Sequence, residues 1–430
     1  MTIVLGCIAD DLTGATDLAM ILMREGMKTV QIIGIPDETT PKPDADAIVI
    51  ALKSRTIPAA EAVQQSLAAC EWLLNGGAKQ IFFKYCSTFD STDDGNIGPV
   101  TDALMDYLDC PYTIACPSFP ENGRTVYKGH LFVNDTLLSE SSLRNHPLTP
   151  MTDSNLNRVL SRQSDNHISN IYFESVDLGN KEIRKIFDQH NPDNTTIFVM
   201  DGLNNDHLKS IGSACKDLKL ITGGSAVAMG LPDNFREKGL LGSPNLNSPF
   251  DAPKGRTVIL SGSCSEATLE QIDYAKSRMP TLKINPQDIL DDKPVLRQTL
   301  EWVSKNTRED GPILIYTSAS PTEVIALQDE KNRVAVGTLI EGTLGQLASA
   351  LQASGFTRFI VAGGETSGAV IHALAIQVLE IGPQIDPGVP WTLSRSGQPM
   401  ALALKSGNFG ARDFFLKASV QINSMEIIRS

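Results

Sequence analysis

The chain has 430 residues, 41% of them hydrophobic and 20% charged. That is enough for two or three domains with real cores and too apolar for general disorder. The balance of 37 Lys and Arg against 50 Asp and Glu gives a net charge of -13, the wrong sign for a nucleic-acid backbone or an anionic membrane surface.

In chain order, residues 3–8 form a short apolar run, followed by Ala9-Asp10-Asp11-Leu12-Thr13-Gly14 and a helical pattern over 16–24. An apolar run, a polar turn and an amphipathic segment mark a buried parallel strand feeding a helix. The unit recurs: residues 47–50 precede a helical stretch over 59–74, and residues 81–83 precede a turn and a helix over 97–108. A further strand is expected over 196–200. This alternation predicts an α/β fold with a parallel sheet. Residues 239–253, rich in Gly, Pro, Asn and Ser, read as a linker. The pattern then restarts, with strands expected over 257–260, 313–316 and 358–361, and helices over 266–278 and 342–354. The expected domains are 1–245 and 254–430, each a mainly parallel sheet flanked by helices.

The start of the chain has no basic leader segment, and no run approaches the length of a membrane helix. The seven cysteines, Cys7, Cys70, Cys86, Cys110, Cys116, Cys215 and Cys264, are odd in number and widely spaced. They read as reduced thiols in a cytoplasm rather than as disulfides or a zinc site.

Ligands of parallel α/β sheets bind outside the carboxyl ends of the strands, so the loops after strands carry the candidates. Asp10 and Asp11 follow the first strand. They suit a general base, a hydroxyl-orienting pair or Mg²⁺, and one of them also suits a helix N-cap. Arg55 and Lys84 follow two other strands, and Lys84 leads into Tyr85, Cys86 and Ser87. Together the two cations suit a carboxylate or phosphate, and either alone reads as a solvated charge. A third loop, residues 116–130, carries Arg124 and His130, which are contacts or merely structural. In the second half, Ser261-Gly262-Ser263-Cys264-Ser265, Gly363-Gly364-Glu365-Thr366 and Lys405-Ser406-Gly407 are small-residue loops between strand and helix. Such loops let backbone N–H groups approach a phosphate, and Glu365 could hold a metal or a ribose hydroxyl. Thr222-Gly223-Gly224-Ser225 is a similar turn in the first half. The six histidines show no zinc spacing, no G-x-S-x-G elbow occurs, and the first turn lacks the dinucleotide fingerprint.

Taken together, IADDLTGA, KYCSTFDSTDDGNIG, CPSFPENGRTVYKGHLFVN, HPLTPMTDSNL, ITGGSAVA, LSGSCSEAT, VAGGETSGA and KSGNFG span nearly the whole chain in order. They resemble the four-carbon acid sugar kinases, and SGSCSEAT and the loop Pro117-Ser118-Phe119-Pro120 are most similar to the 3-oxo-tetronate members. The resemblance implies an acid-sugar-binding domain, a nucleotide-binding domain and an active site in the cleft between them. It implies transfer of phosphate from ATP, with Mg²⁺, to the C4 hydroxyl of a sugar acid. By resemblance, Asp10 or Asp11, Arg55 and Lys84, Tyr85, Cys86 and Ser87 bind the acid. Ser261, Ser263, Gly363, Gly364, Glu365, Thr366 and Gly407 bind ATP. Asp11 is the expected base, and no metal ligand is assigned. Threonate or erythronate is the rival substrate. A non-catalytic sugar-acid sensor is the rival of another class. No nucleic acid or membrane partner is expected, and a homo-oligomer is left open.

Overall fold

The computed structural model describes residues 3–37, 40, 43–145, 149–191, 194–243, 250–308, 311–318, 333–395 and 397–427. The chain divides into two compact units, Met1–Asn247 and Ser248–Ser430. Of the expected linker, residues 244–249 lie outside the described residues, as does His146.

The first unit has β1 (Leu5–Ala9), β2 (Thr29–Ile33), β3 (Ala47–Ala51), β4 (Gln80–Lys84) and β5 (Tyr112–Cys116). The short strands β6 (Arg124–Tyr127), β7 (His130–Val133) and β8 (Thr136–Leu137) follow, then β9 (His167–Ile171), β10 (Thr196–Met200) and β11 (Leu220–Gly223). The main sheet runs β2-β3-β1-β4-β11-β5-β10-β9 and is parallel throughout. Strands β6 to β8 form a separate antiparallel sheet.

All five residues of β1 are buried, as expected of a central strand covered on both faces. The helix after it is Leu12–Arg24, four residues longer at its start than periodicity predicts. The Asp11 carboxylate accepts from the Gly14 N–H and fixes the earlier start. The expected helices over 59–74 and 97–108 are observed as Ala59–Asn75 and Ile97–Tyr107. Register matters most here. Ala9 lies opposite Ala51 on one side and Lys84 on the other. The segments after β1 and β3 and the end of β4 therefore emerge side by side.

The second unit has β12 (Arg256–Ser261), β13 (Thr281–Lys283), β14 (Ile313–Tyr316), β15 (Phe356–Ala362), β16 (Val378–Asp386), β17 (Val389–Ser394) and β18 (Met400–Lys405). Its order is β13-β14-β12-β15-β18-β17-β16, parallel up to β18 and antiparallel beyond. The hairpin of β16 and β17 turns through Pro387-Gly388, with Gly388 at φ 78°. It is an extension that reading strand–helix alternation did not anticipate. Trp391, Phe414 and Phe415 fill the core on one face. Ser261, Ala362 and Lys405 end their strands in register, so their loops also meet.

Candidate functional site

In the first unit, the strand ends gather an ion cluster. The Arg55 guanidinium donates from Nε to Asp10 Oδ2 at 2.8 Å and from Nη2 to Asp10 Oδ1 at 2.9 Å. The same Nη2 reaches Asp11 Oδ1 at 2.6 Å. Lys84, 4% exposed, places its ammonium 3.4 Å from the same Asp11 oxygen. Asp11 also accepts from the Thr13 hydroxyl at 2.8 Å and the Gly14 N–H at 3.1 Å. Asp11 is therefore both a helix cap and the bridge between two cations, so the two readings of its role hold together.

Gly14 is what lets Lys84 in. A Cβ at this position would overlap the Lys84 ammonium and the Asp11 carboxylate. The charges sort by burial and partner. Burial raises the Asp10 pKa and outweighs the pull of Arg55. Burial also acts on Asp11, but Arg55 and then Lys84 hold it well below the usual carboxylate range. Burial works against the Lys84 charge, yet Asp11 and Asp10 keep its pKa raised. The site therefore carries an ionised Asp11 between two fixed cations. The Asp11 side chain is 26% exposed and that of Arg55 23%, so a small ligand can reach both.

The structure adds residues that the sequence did not single out. Asp90 lies 3.7 Å from Arg55 Nη1 and accepts from the Thr88 hydroxyl at 2.6 Å. Asn96, buried before its helix, donates to the carbonyls of Ser54 at 2.7 Å, Arg55 at 3.3 Å and Ile57 at 2.8 Å. It sets the loop that carries Arg55. Asp17, one helical turn beyond Gly14, is buried, accepts from the Ser225 hydroxyl and has its pKa raised to about 6 by burial. No sequence period marks a side chain that binds carbonyls forty residues away, although Asp90 and Asn96 both fall in the polar run after β4.

The remaining first-unit candidates are placed as follows. The Tyr85 ring packs edge-on against Phe83 and Phe89, and its hydroxyl lies 3.1 Å from the Thr222 hydroxyl. Its side chain is thus held in the core beside the cluster. The Cys86 thiol sits 2.8 Å from the Thr88 hydroxyl, with its pKa pushed up to about 12 by burial, which disfavours the thiolate. Ser87 is half-buried in the same loop. Arg124 donates to the Asn122 carbonyl, and His130 lies 2.9 Å from the Lys128 carbonyl and 3.4 Å from Asn155. These contacts hold the small antiparallel sheet. The glycines of Thr222-Gly223-Gly224-Ser225 answer to close packing. A Cβ on Gly224 would meet the Pro117 carbonyl at 2.8 Å.

In the second unit, a pocket of about 310 Å³ is lined by Gly262, Ser263, Gly363, Glu365, Thr366 and Gly407, among others. All three predicted loops meet there, joined by the Pro286 and Thr317 segments and by Val336, Ile340 and Glu341 of the Arg333–Ala353 helix. That helix begins nine residues before the predicted 342. Gly363 sits at φ 120°, and a Cβ there would meet Thr366 Oγ1 at 2.9 Å and Ser263 at 3.3 Å. It heads the Gly364–Ala373 helix, whose first residues, Gly364, Glu365 and Thr366, line the pocket. Ser261, by contrast, is fully buried and lies 2.9 Å from Ser318. It stands beneath the loop rather than in the pocket lining. Among the described residues no group of three or more His, Cys, Asp or Glu is placed to hold a metal. Glu341 and Glu365 are the carboxylates of the pocket wall.

Comparison with known proteins assigns the two units. The profile of a sugar-binding N-terminal domain matches residues 5–231, and that of a nucleotide-binding C-terminal domain matches residues 258–415. The chain is 52% identical over 426 residues to the 3-oxo-tetronate kinase of Pseudomonas savastanoi pv. phaseolicola, covering 97% of each chain. The chain belongs to the four-carbon acid sugar kinase family. The 3-oxo-tetronate kinase of Burkholderia multivorans is also 52% identical, over 96% of each chain. A crystal structure from Salmonella typhimurium LT2, provisionally described as a tRNA synthase, superposes with a TM-score of 0.85 at 43% identity. It covers 96% of this chain and 98% of its own. Family membership gives the ion cluster a sugar-binding domain and the glycine-lined pocket a nucleotide-binding one.

Proposed function

We propose that this protein is an ATP-dependent kinase that phosphorylates the C4 hydroxyl of 3-oxo-tetronate. The observation that carries the substrate is the shared description of relatives matching 96–97% of the chain at 52% identity. The geometry supports the reaction class. A sugar acid needs cations for its carboxylate and a carboxylate for its hydroxyl, and the cluster at the ends of β1, β3 and β4 offers both. Arg55 Nη1 stands 3.7 Å from Asp90, beyond hydrogen-bond distance. Lys84 makes only the long contact to Asp11 among the described residues. Both therefore have N–H groups to give to a substrate carboxylate without releasing Asp10 or Asp11.

Asp11, ionised and partly exposed, orients the C4 hydroxyl and receives its proton. The oxygen–phosphorus bond forms as the bond to the β-phosphate oxygen breaks, and ADP leaves. The transition state is loose, so the carboxylate need not be a strong base. Its depressed pKa is compatible with late proton transfer. The nucleotide phosphates are assigned to the loops of Ser263, Gly363 to Thr366 and Gly407, with Ser261 supporting the first. Mg²⁺ would neutralise phosphate charge, coordinated mainly by phosphate oxygens and water as this ion prefers, with Glu341 or Glu365 as the carboxylates that fit it. The net charge of -13 does not favour a tRNA substrate. No helix among the described residues is long and apolar enough to cross a membrane. The free thiols of Cys7, Cys70, Cys86, Cys110, Cys116 and Cys215 suit a reducing cytoplasm.

The test is substrate-dependent ADP release with Mg-ATP and a panel of four-carbon acids: D- and L-threonate, D-erythronate and their 3-oxo forms. Activity confined to the 3-oxo acids is the expected result. Activity with threonate or erythronate alone would transfer the assignment within the family. No activity from folded protein would refute the kinase reading and favour a sensor.

A further inference from the structure

Lys405 ends β18 and is 0% exposed. Its main chain and side chain hold different walls of the second-unit pocket. Its carbonyl accepts the Gly363 N–H at 2.9 Å. Its ammonium donates to the Gly407 carbonyl at 2.8 Å, the Ser406 carbonyl at 3.2 Å and the Thr268 hydroxyl at 2.9 Å. Thr268 and Ser265 in turn both donate to the Gly407 carbonyl, at 2.8 and 2.6 Å. One residue therefore ties together the three loops that line the pocket.

Every acceptor of this ammonium among the described residues is a neutral oxygen. The surrounding elements do carry charged or titratable groups. The Glu266–Ala275 helix has Glu266, Glu270, Asp273 and Tyr274, and the Gly364–Ala373 helix has Glu365 and His372. Arg358 of β15 is turned to Pro253 and Asn423. Asp386 of β16 pairs with Lys417, and Arg412 and Asp413 follow the Gly407 loop. None of these groups accepts a hydrogen bond from Lys405 among the described residues. A buried ammonium with no anion beside it is costly, so an anion arriving from outside would stabilise its charged form. The pocket that Gly407 and Gly363 line is the opening through which an anion would come.

We propose that Lys405 is a positioning residue for the nucleotide, and that the polyphosphate entering the pocket is its missing counter-ion. The proposal rests on the nucleotide-binding reading of this pocket. Burial alone pushes the Lys405 pKa down to about 7. The free protein near neutral pH is then close to half protonated at this amine. An arriving anion favours the charged form, which tightens the hold on Gly407 and so on the loop that contacts the phosphates. By linkage, nucleotide binding takes up a proton, and affinity falls as pH rises above 7.

The experiment is calorimetric titration of ADP, without metal, into the full chain in two buffers of different ionisation enthalpy. Phosphate groups have a second pKa of about 6, so at about pH 8 the nucleotide itself exchanges little. Uptake of about one proton per ADP at pH 8, and of about half at pH 7, is expected. Lys405→Met should bind ADP at least about tenfold more weakly at pH 7 and take up no proton. Clear binding with no proton uptake at pH 8 would overturn the proposal and leave Lys405 a purely structural tie. Uptake that persists in Lys405→Met would also overturn it. If that variant does not fold, the wild-type proton count still decides. No binding of ADP or ATP at all would refute the nucleotide reading itself, and this proposal with it.

Discussion

Gly14→Ala tests whether the position of Lys84, rather than its charge, binds the sugar acid. No charge is removed and the backbone is ordinary helix, so propensity alone predicts a gain of up to about 1 kcal/mol in stability. The packing predicts otherwise for function. The new methyl would overlap Lys84 Nζ and Asp11 Oδ1 and stand 2.8 Å from Lys84 Cε. Ordinary contact begins at about 3.5 Å. The Cε must therefore retreat by at least about 0.7 Å and the ammonium by more. Asp11 Oδ1 is also the atom that accepts from Arg55 Nη2, so one methyl disturbs both cations. Misplacement of a positioning group by about 1 Å costs on the order of 100-fold in rate, or about 2.7 kcal/mol of transition-state stabilisation. Steady-state kinetics with each substrate varied in turn would show kcat/KM for the sugar acid down about 100-fold. The KM for ATP would be unchanged, because residues 262–407 build that pocket. Thermal unfolding should stay close to the parent, since the helix gain offsets the weakened ion pair. A variant as stable as the parent, with kcat/KM for the acid within about threefold, would refute the account of the cluster.

Arg55→Lys keeps the charge but cannot reproduce the paired bonds to Asp10. It should lower kcat/KM for the acid by about 100-fold or more, measured by ADP release, and leave ATP binding alone. Asp11→Asn should cut turnover at least about 100-fold, and near-normal turnover would exclude it as the base. Gly363→Ala places a side chain at φ 120° and against Thr366 and Ser263. It should weaken ADP binding by about tenfold or more in calorimetry, with sugar-acid binding retained. Lys405 gives a stability prediction with a definite sign. Its folded pKa, about 7, lies below its unfolded value, so above pH 7 the unfolded chain binds more protons than the native one. The Lys405 contribution to the stability of the nucleotide-free protein then rises with pH from about 7 towards 10, at up to about 1.4 kcal/mol per unit. The thiols of Cys7, Cys70, Cys86, Cys110, Cys116 and Cys215, whose pKa values burial raises, act oppositely and together overtake it as pH nears their unfolded value of 9.0, so the Lys405 contribution is read from the difference between wild type and Lys405→Met. The difference in unfolding free energy between wild type and Lys405→Met should therefore grow by about 1–2 kcal/mol from pH 7 to pH 8.5.

The parallel sheets were legible because buried strands such as β1 and β10 read as unbroken apolar runs with a polar turn after them. The C-terminal ends of such strands point to Asp10, Asp11, Arg55 and Lys84, and the register of β1, β3 and β4 brings these residues together. The hairpin of β16 and β17 was not legible by the same reasoning, since it needs no crossover helix and its two-residue turn interrupts no pattern. Asn96 and Lys405 were missed for a different reason. Their partners are backbone carbonyls, and a carbonyl leaves no trace in sequence. Ser261 was assigned to the nucleotide by resemblance. The side chain of a residue still inside the strand points to the sheet's faces, and here it ends at Ser318.

The two sites treat charge in opposite ways, and this fits the ligands proposed for them. The sugar-acid cluster is dense in charge. Asp10, Asp11 and Asp90 surround Arg55, with Lys84 against Asp11. Those carboxylates hold both cations rigid before any substrate arrives, so little side-chain entropy is lost on binding. A bulky polyanion would meet three carboxylates there, whereas a monoanion with hydroxyls can use the cations and the carboxylates together. The second pocket instead uses glycines and small hydroxyl residues, with the buried Lys405 ammonium behind the wall. Backbone N–H groups distribute donors over several phosphate oxygens without fixing one charge pair. The discrimination between sugar acid and nucleotide therefore lies in which oxygens are satisfied and not in net charge. On that reasoning, inorganic sulfate should compete with nucleotide in the second pocket at far lower concentration than it competes with the sugar acid in the first. Equal inhibition against both substrates would show that the carboxylates around Arg55 do not select.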